Sequence, residues 1–143
     1  MTCEILGQFP TTIQHPEQYF RDRGCFVDCR GEVTIDGTSM FGYGVRILSM
    51  SHDIQDGLGP ALSRRVRVDQ GAWIASFAIL FGCWIQEGAV VSAGAVVSGV
   101  IVPAYTMVQG NPAKVVSRYC PDTKQWARLH DPIALEPWPD RRA

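Results

Sequence analysis

The stretch Val68–Lys114 decides the fold. Read from Val68 it runs VDQGAW, IASFAI, LFGCW, IQEGAV, VSAGAV, VSGVI, VPAYTM, VQGNPA, with Lys114 next. An aliphatic residue opens every unit: Val68, Ile74, Leu80, Ile85, Val91, Val97, Val102 and Val108. Four places later the residue is usually small, as at Ala72, Ala78, Ala89, Ala95 and Thr106. Two units, Leu80–Trp84 and Val97–Ile101, are one residue short. A helix would space its apolar residues by three and four, and a hairpin strand would alternate over a longer run. A period of six fits neither. It fits a short flat strand and a turn, repeated around a coil.

Each unit then forms one side of a triangular prism. The aliphatic side chain points inward, and the small residue sits where the chain turns a corner. Coils stack at the strand spacing, so each satisfies the backbone groups of the next. An ordinary parallel sheet of buried strands would need crossover helices, and no helical pattern interrupts Val68–Lys114. The reading predicts that the shortened unit keeps register, with Leu80 and Ile85 both inward and Trp84 outside.

Working outward, 25–52 repeats less regularly. After CFVDCRGEVTIDG come units opened by Ile35, Phe41 and Ile47, with Ser39, Val45 and Ser51 at the corners and His52 at the end. Residues 53–67 break the repeat as an excursion loop carrying Gly57, Gly59 and Pro60. Arg64, Arg65 and Arg67 form a basic cluster at its end, read either as solubility or as contact with an anionic group. Residues 1–24 have no hexads. A short helix over Pro16–Arg23 is expected to cap the first coil. After 114 the tail, 115–143, is expected to hold a short helix from Pro121, with Asp122 as its N-cap. It should then run extended, with Trp126 and Trp138 packed on the coil or on a neighbouring subunit.

With 143 residues the chain is expected to be a single domain, 1–143. A net charge of -1 gives no electrostatic case for nucleic acid. No apolar run reaches the length of a membrane span. The N-terminus, with Glu4 and no basic start, reads poorly as a signal peptide. Reduced thiols at Cys3, Cys25, Cys29, Cys83 and Cys120 and a cytoplasmic location are therefore expected. Cys83 should sit in or near the prism. Cys25 and Cys29 lack a second ligand pair for a metal, and no metal site is expected.

The run GAWIASFAIL, then IQEGAVVSAGAVV, then VPAYTMVQGNPAKVV resembles the hexapeptide-repeat acyltransferases. It is closest to the galactoside, maltose and polysaccharide O-acetyltransferase branch. The pieces that carry this are Trp73–Ile74, Ser92–Val97 and Gly110–Lys114. The resemblance implies an all-β fold, a left-handed parallel β-helix, assembled as a homotrimer with acetyl-CoA as co-substrate. CFVDCRGEVTIDG is similar to the first coil of short polysaccharide-type members. The N-terminal segment is shorter than in the galactoside and maltose enzymes.

Acyl transfer from a thioester to a hydroxyl needs a base and a place for the developing oxyanion. Three histidines exist: His15 before Pro16, His130 in the tail, and His52 at the end of a coil. By the resemblance, His52 in SMSHD stands at the catalytic histidine, as general base. The resemblance also places the pantetheine arm of acetyl-CoA against Ala75, Ser76, Ala93 and Gly94, with Lys114 and Arg118 at the phosphates; Trp73 reads equally as a wall of that groove or as a packing residue. Ser98, a further cofactor candidate, and Gly99 stand where the family usually carries Thr-Lys, so one phosphate contact is expected to be missing. The second place of a unit, usually Gly in the family, holds Asp69, Ala75, Phe81, Gln86 and Ser92. Acceptor contacts should come from the irregular first coil and the loop, with Asp28 and Asp53 as candidates; Asp53 reads equally as a turn cap. The acceptor is expected to be a sugar or polysaccharide-precursor hydroxyl. N-acylation of an amino sugar and a non-catalytic trimeric scaffold are the alternatives. The β-helix carbonic anhydrases need three zinc histidines, and the repeat holds only His52.

Overall fold

The aliphatic residues that open the units all point into one shared interior. Val68 is 1% exposed, and Ile74, Leu80, Ile85, Val91, Val97, Val102 and Val108 are fully buried. Each such burial is worth about 1.5–3 kcal/mol. The computed structural model describes residues 4–6, 11–56 and 59–139, with the backbone alone at 4–6 and Asp56. Cys3, the Glu4 side chain, Gly57 and the end of the tail at 140–143 lie outside the described residues.

Four coils stack along one axis, and their strands form three faces, here A, B and C. Face A carries Phe26–Asp28, Arg46–Leu48, Ile79–Phe81 and Val96–Ser98. Face B carries Val33–Ile35, Val66–Val68, Trp84–Ile85 and Val100–Val102. Face C carries Met40–Phe41, Trp73–Ile74, Val90–Val91 and Thr106–Gly110. All these pairings are parallel, so inward residues stack in columns. Val27, Ile47, Leu80 and Val97 form one column. Ile35, Val68, Ile85 and Val102 form the second. Phe41, Ile74, Val91 and Val108 form the third.

The corners show why some large residues are allowed there. Ala72, Ala78, Ala89 and Ala95 point in and are fully buried, as the repeat predicts. The residue just before such a corner points out and takes a left-handed φ. Glycine holds that place at Gly44 and Gly88, but Phe77 (φ 63) and Tyr105 (φ 55) hold it one coil further on. A Cβ on Gly44 would stand 2.6 Å from the Phe77 ring, and one on Gly88 would stand 2.7 Å from Tyr105. Each aromatic ring thus lies over the bare backbone of the glycine below it.

The two short units turn tightly between faces A and B at Gly82 (φ 53) and Gly99 (φ 67). Leu80 and Ile85 are both inside, Trp84 is half-buried outside, and Cys83 fills the corner fully buried. Register therefore holds from Leu80 onward.

A helix over Pro16–Asp22 closes the prism beneath coil 1. Its Phe20 is fully buried and meets Phe41 edge to face at 5.2 Å. Arg23 lies over the Tyr19 ring at 3.7 Å and donates to the Phe41 carbonyl at 3.2 Å.

Two expectations need correction. Ser51 does not hold a corner, because the chain leaves the prism after Ser49, which is fully buried. Gly31 of coil 1 lets the Ser49 backbone close in: a Cβ there would stand 2.2 Å from the Ser49 carbonyl oxygen. Gly31 N donates to Ser49 Oγ at 3.0 Å, and that hydroxyl donates in turn to the Asp28 carbonyl. Beyond Ser49, Met50–His52 pairs antiparallel with Ala61–Ser63 as an outlying hairpin. Arg64 N donates to Ser49 O at 2.7 Å and shuts its base. The excursion thus does not fill 53–67; Val66–Val68 is already a face-B strand.

The tail also differs. No helix starts at Pro121. Ala113–Cys120 turns back antiparallel onto Thr106–Gly110, and Gln125–Ile133 pairs with it in turn. Glu136–Pro137 then pairs antiparallel with Val100–Ile101. The last coil leaves a row of open backbone groups on face C, and a strand satisfies them where a helix could not. Ala113 and Val115 point into the end of the core while Lys114 points out, an alternation of period two.

Candidate functional site

His52 ends the outgoing strand of the hairpin and is exposed. Its Nδ1 lies 3.0 Å from the Gly59 carbonyl oxygen. A carbonyl only accepts, so Nδ1 is assigned the proton and Nε2 is left with its lone pair. The loop supports this aim. Asp53 N donates to Pro60 O at 3.1 Å, Gly59 N donates to Asp53 O at 3.3 Å, and Gln55 N donates to the Asp53 carboxylate at 3.0 Å. Asp53 therefore caps the 3-10 turn Ile54–Asp56 and shapes the loop that carries Gly59.

Asp28 sits under the hairpin, 5% exposed. Arg30 clasps it with Nε to Oδ1 at 2.9 Å and a second nitrogen to Oδ2 at 2.8 Å. That side-chain bond holds the Asp28 carboxyl below the usual carboxylate range, ahead of the opposing effect of burial. Its carboxylate is committed to Arg30, whose own side chain is 60% exposed.

The expected cofactor residues fall on different edges of the prism. Ala75, Ser76, Ala93 and Gly94 stack at the corner between faces C and A, where Gly94 N donates to Ser76 O at 3.0 Å. Trp73 is 47% exposed on face C, where it precedes the inward Ile74 and lies between Met40 and Val90, at the end of the strand away from that corner. A Cβ built on Gly94 would meet nothing within 4 Å, so this backbone is open to close approach. Lys114 pairs with Gln109 at that end of the returning strand and is exposed. Arg118 is four residues further on, about 13 Å along a strand, and pairs with Thr106. Ser98 ends a face-A strand beside Gly99, at the A–B corner. The His52 hairpin leaves from that same A–B corner in coil 2. Within one chain, then, Ala75, Ser76, Ala93, Gly94 and Lys114 gather on one edge, with Trp73 on the adjoining face C. His52, Asp53, Asp28 and Ser98 gather on another, with face A between.

The arginine cluster disperses as well. Arg64 lies over Phe81 at 5.2 Å, with its stem across Gly82. Arg65 stacks on Trp138 at 4.3 Å, and Arg67 on Trp84 at 4.7 Å. Trp138 meets Trp84 at 6.0 Å and so packs on the outside of its own coil, while Trp126 lies on Tyr119 at 5.3 Å. Sequence reasoning missed Tyr43 (64% exposed) and Phe77 (60% exposed), which flank Ala75–Ser76 on the open edge. The signal was present in Phe77, an aromatic in the turn position of its hexad. It also missed a broad groove over face B, because its lining comes from four separate segments.

Four described cysteines, Cys25, Cys29, Cys83 and Cys120, are free thiols. No described helix is long and apolar enough to cross a membrane.

No protein-family model matches the chain, and no curated protein matches it. Solved structures do. A maltose O-acetyltransferase from Clostridium difficile 630 matches with TM-score 0.61 at 22% identity, over 81% of this chain and 58% of that one. A galactoside acetyltransferase in complex with coenzyme A matches with TM-score 0.62 at 19% identity, over 77% of this chain and 56% of that one. A polySia specific acetyltransferase matches with TM-score 0.57 at 22% identity, over 75% and 46%. The chain spans less than three fifths of the length of each of these proteins. The likeness shows the fold: a left-handed parallel β-helix of hexapeptide coils.

Proposed function

We propose that the protein is an acetyl-CoA-dependent O-acetyltransferase that acts on a hydroxyl of a sugar or polysaccharide precursor, with His52 as general base. The observation that carries this reading is the 3.0 Å contact between His52 Nδ1 and the Gly59 carbonyl. It leaves Nε2 as a proton acceptor on an exposed hairpin, where a hydroxyl can reach it. The names of the similar solved structures, one in complex with coenzyme A, support the same reaction class.

In the reaction, the acceptor hydroxyl oxygen attacks the thioester carbonyl carbon as His52 Nε2 takes its proton. The carbon–sulfur bond then breaks, and the imidazolium returns the proton to the departing thiolate. The edge at Ala75–Ser76 and Ala93–Gly94 fits a long thin arm, since small residues let a ligand approach the backbone. Lys114 at the end of that edge fits an anionic group.

The separation of the two edges supports a homotrimer. His52 at the A–B corner and the open C–A edge cannot share a substrate within one chain. Packing the A–B corner of one copy beside the C–A edge of the next would complete the site. The exposed Tyr43 and Phe77 on that edge, with Trp73 and Met40 on the adjoining face C, supply apolar area for such a contact.

The test is release of free thiol from acetyl-CoA with a panel of sugars and amino sugars, alongside light scattering. Thiol release that needs a sugar, from a trimer, is the expected result. No release with any acceptor would overturn the enzymatic reading, and a fully active monomer would overturn the shared site. Release with amino sugars alone would move the chemistry to N-acylation.

A further inference from the structure

Face B of the first two coils forms a broad groove that the acyl-transfer site does not use. Its floor is the outward pair Thr34 and Arg67, which sit opposite each other on neighbouring strands. Thr11 and Thr12 wall its lower end, and Gln70 and Glu87 rise at the B–C corner. Val33, Ile35 and Val68 border it only through their backbones, because their side chains are in the core. The groove therefore presents hydroxyls, carboxylates, an amide and guanidinium groups, set among the apolar stems and methyl groups of the same side chains.

These groups are held in place. Arg67 Nε donates to Asp69 Oδ1 at 2.8 Å, and Trp84 Nε1 donates to Asp69 Oδ2 at 2.9 Å. Gln70 Nε2 donates to Glu87 Oε1 at 2.7 Å, and the Tyr105 hydroxyl donates to the same oxygen at 3.0 Å. A ligand here meets fixed polar groups and need not order them, which lowers the entropic cost of binding. Planar carboxylates and amides suit pairs of adjacent hydroxyls.

Charge narrows the ligand further. Glu32, Asp36, Asp69 and Glu87 line the groove against only Arg65 and Arg67. Arg67 is paired with Asp69, and Arg65 lies 4.0 Å from Glu32 and under Trp138. A polyanion is disfavoured, and a neutral or amino-bearing chain of hydroxyls is favoured. The groove runs along Val33–Asp36, about 10 Å of chain, which is longer than one sugar ring. Arg65 of its lining lies two residues past the hairpin's last strand residue, Ser63. Val66 N donates to Glu32 O at 2.8 Å, two residues after Arg64, whose N–H shuts the hairpin base on Ser49.

We propose that this groove is a second saccharide subsite, which holds the units of an uncharged or amino-bearing oligosaccharide beyond the unit acetylated near His52. The inference rests on the acyl-transfer reading for the identity of the acceptor end, while binding in the groove does not require turnover.

The test is a two-dimensional NMR titration of the full chain with a maltooligosaccharide, a chitooligosaccharide and oligosialic acid. Thr34→Trp fills the floor from an exposed position, and Gln70→Leu removes an amide without touching the core. Expected are shifts at the Thr34, Arg67 and Gln70 amides with one of the first two sugars, and binding at least tenfold weaker in both variants. For acceptors that are turned over, KM should rise by a similar factor for the oligosaccharide with kcat unchanged, and KM for acetyl-CoA should not move. Shifts with oligosialic acid alone, no shifts on face B with any sugar, or binding unaffected by both substitutions would overturn the subsite. Groove binding without thiol release would instead sink the acyl-transfer reading and leave the subsite standing.

Discussion

The Gly59 carbonyl oxygen stands 3.0 Å from His52 Nδ1 and fixes which ring nitrogen can act as a base. His52 and Gly59 are seven residues apart, and the Asp53-capped turn between them brings them together. The orientation of the base is thus a property of the loop, independent of the prism.

His52→Ala should therefore leave the coil intact, because the side chain is exposed and adds nothing to the core. Turnover should fall by about 10²–10⁴-fold, the usual worth of a positioned base. Circular dichroism and light scattering should match wild type. A variant with near-normal kcat would remove His52 from the mechanism.

Gly88→Ala and Gly94→Ala separate two costs. Both positions have left-handed φ, at 65 and 71. Gly94→Ala meets no atom within 4 Å and should cost only the backbone term, about 1–2 kcal/mol. Gly88→Ala also places its Cβ 2.7 Å from the Tyr105 ring and should cost more. Urea melts of the two variants measure the difference. Equal losses would show that Tyr105 moves aside freely.

Asp28→Asn tests the clasp beneath the hairpin. Arg30 holds the folded Asp28 carboxyl low, so its stabilisation is fully present above the unfolded carboxylate value of about 4. It is lost as pH falls through the lower folded value. The variant should lose about 1–2 kcal/mol at pH 7, a figure kept small because Arg30 is 60% exposed and screened by water. Melting curves of wild type and variant should converge in strong acid. A constant gap across pH would assign the loss to something other than this charge.

The cysteines should label in a fixed order. Burial pushes the Cys83 thiol up to about 12, and Cys25 and Cys29 are raised for the same reason. Cys120 is exposed, and the Thr123 hydroxyl with the amides of the turn lowers its value. Brief alkylation of the native protein followed by peptide mapping should mark Cys120 and leave Cys25, Cys29 and Cys83 unmodified until denaturant is added. Early labelling of Cys83 would mean that the prism opens at its short corner.

The repeat was legible because the rule that makes it is local. An inward Val, Leu or Ile every six residues and a small residue at the corner describe one side of a prism, and each side is complete within its own hexad. That is why Leu80 and Ile85 could be placed inside across a missing residue. The dispersal of Arg64, Arg65 and Arg67 was not legible, because each guanidinium found an aromatic ring on another coil or on the tail.

The sequence by itself determined the coil, its inward residues and the presence of an excursion between Ile47 and Val68. Tertiary structure alone decided how the ends close. Residues 121–130 were free to read as a helix, but the last coil offered unpaired backbone on face C, and pairing Ala113–Cys120 and then Gln125–Ile133 onto it satisfied more polar groups. It likewise decided that His52 and the Ala75–Gly94 edge lie on different corners. The corner a residue occupies depends on how many sides the chain has turned since the last one, and the excursion after Ser49 and the two short units change that count without marking it in any single hexad.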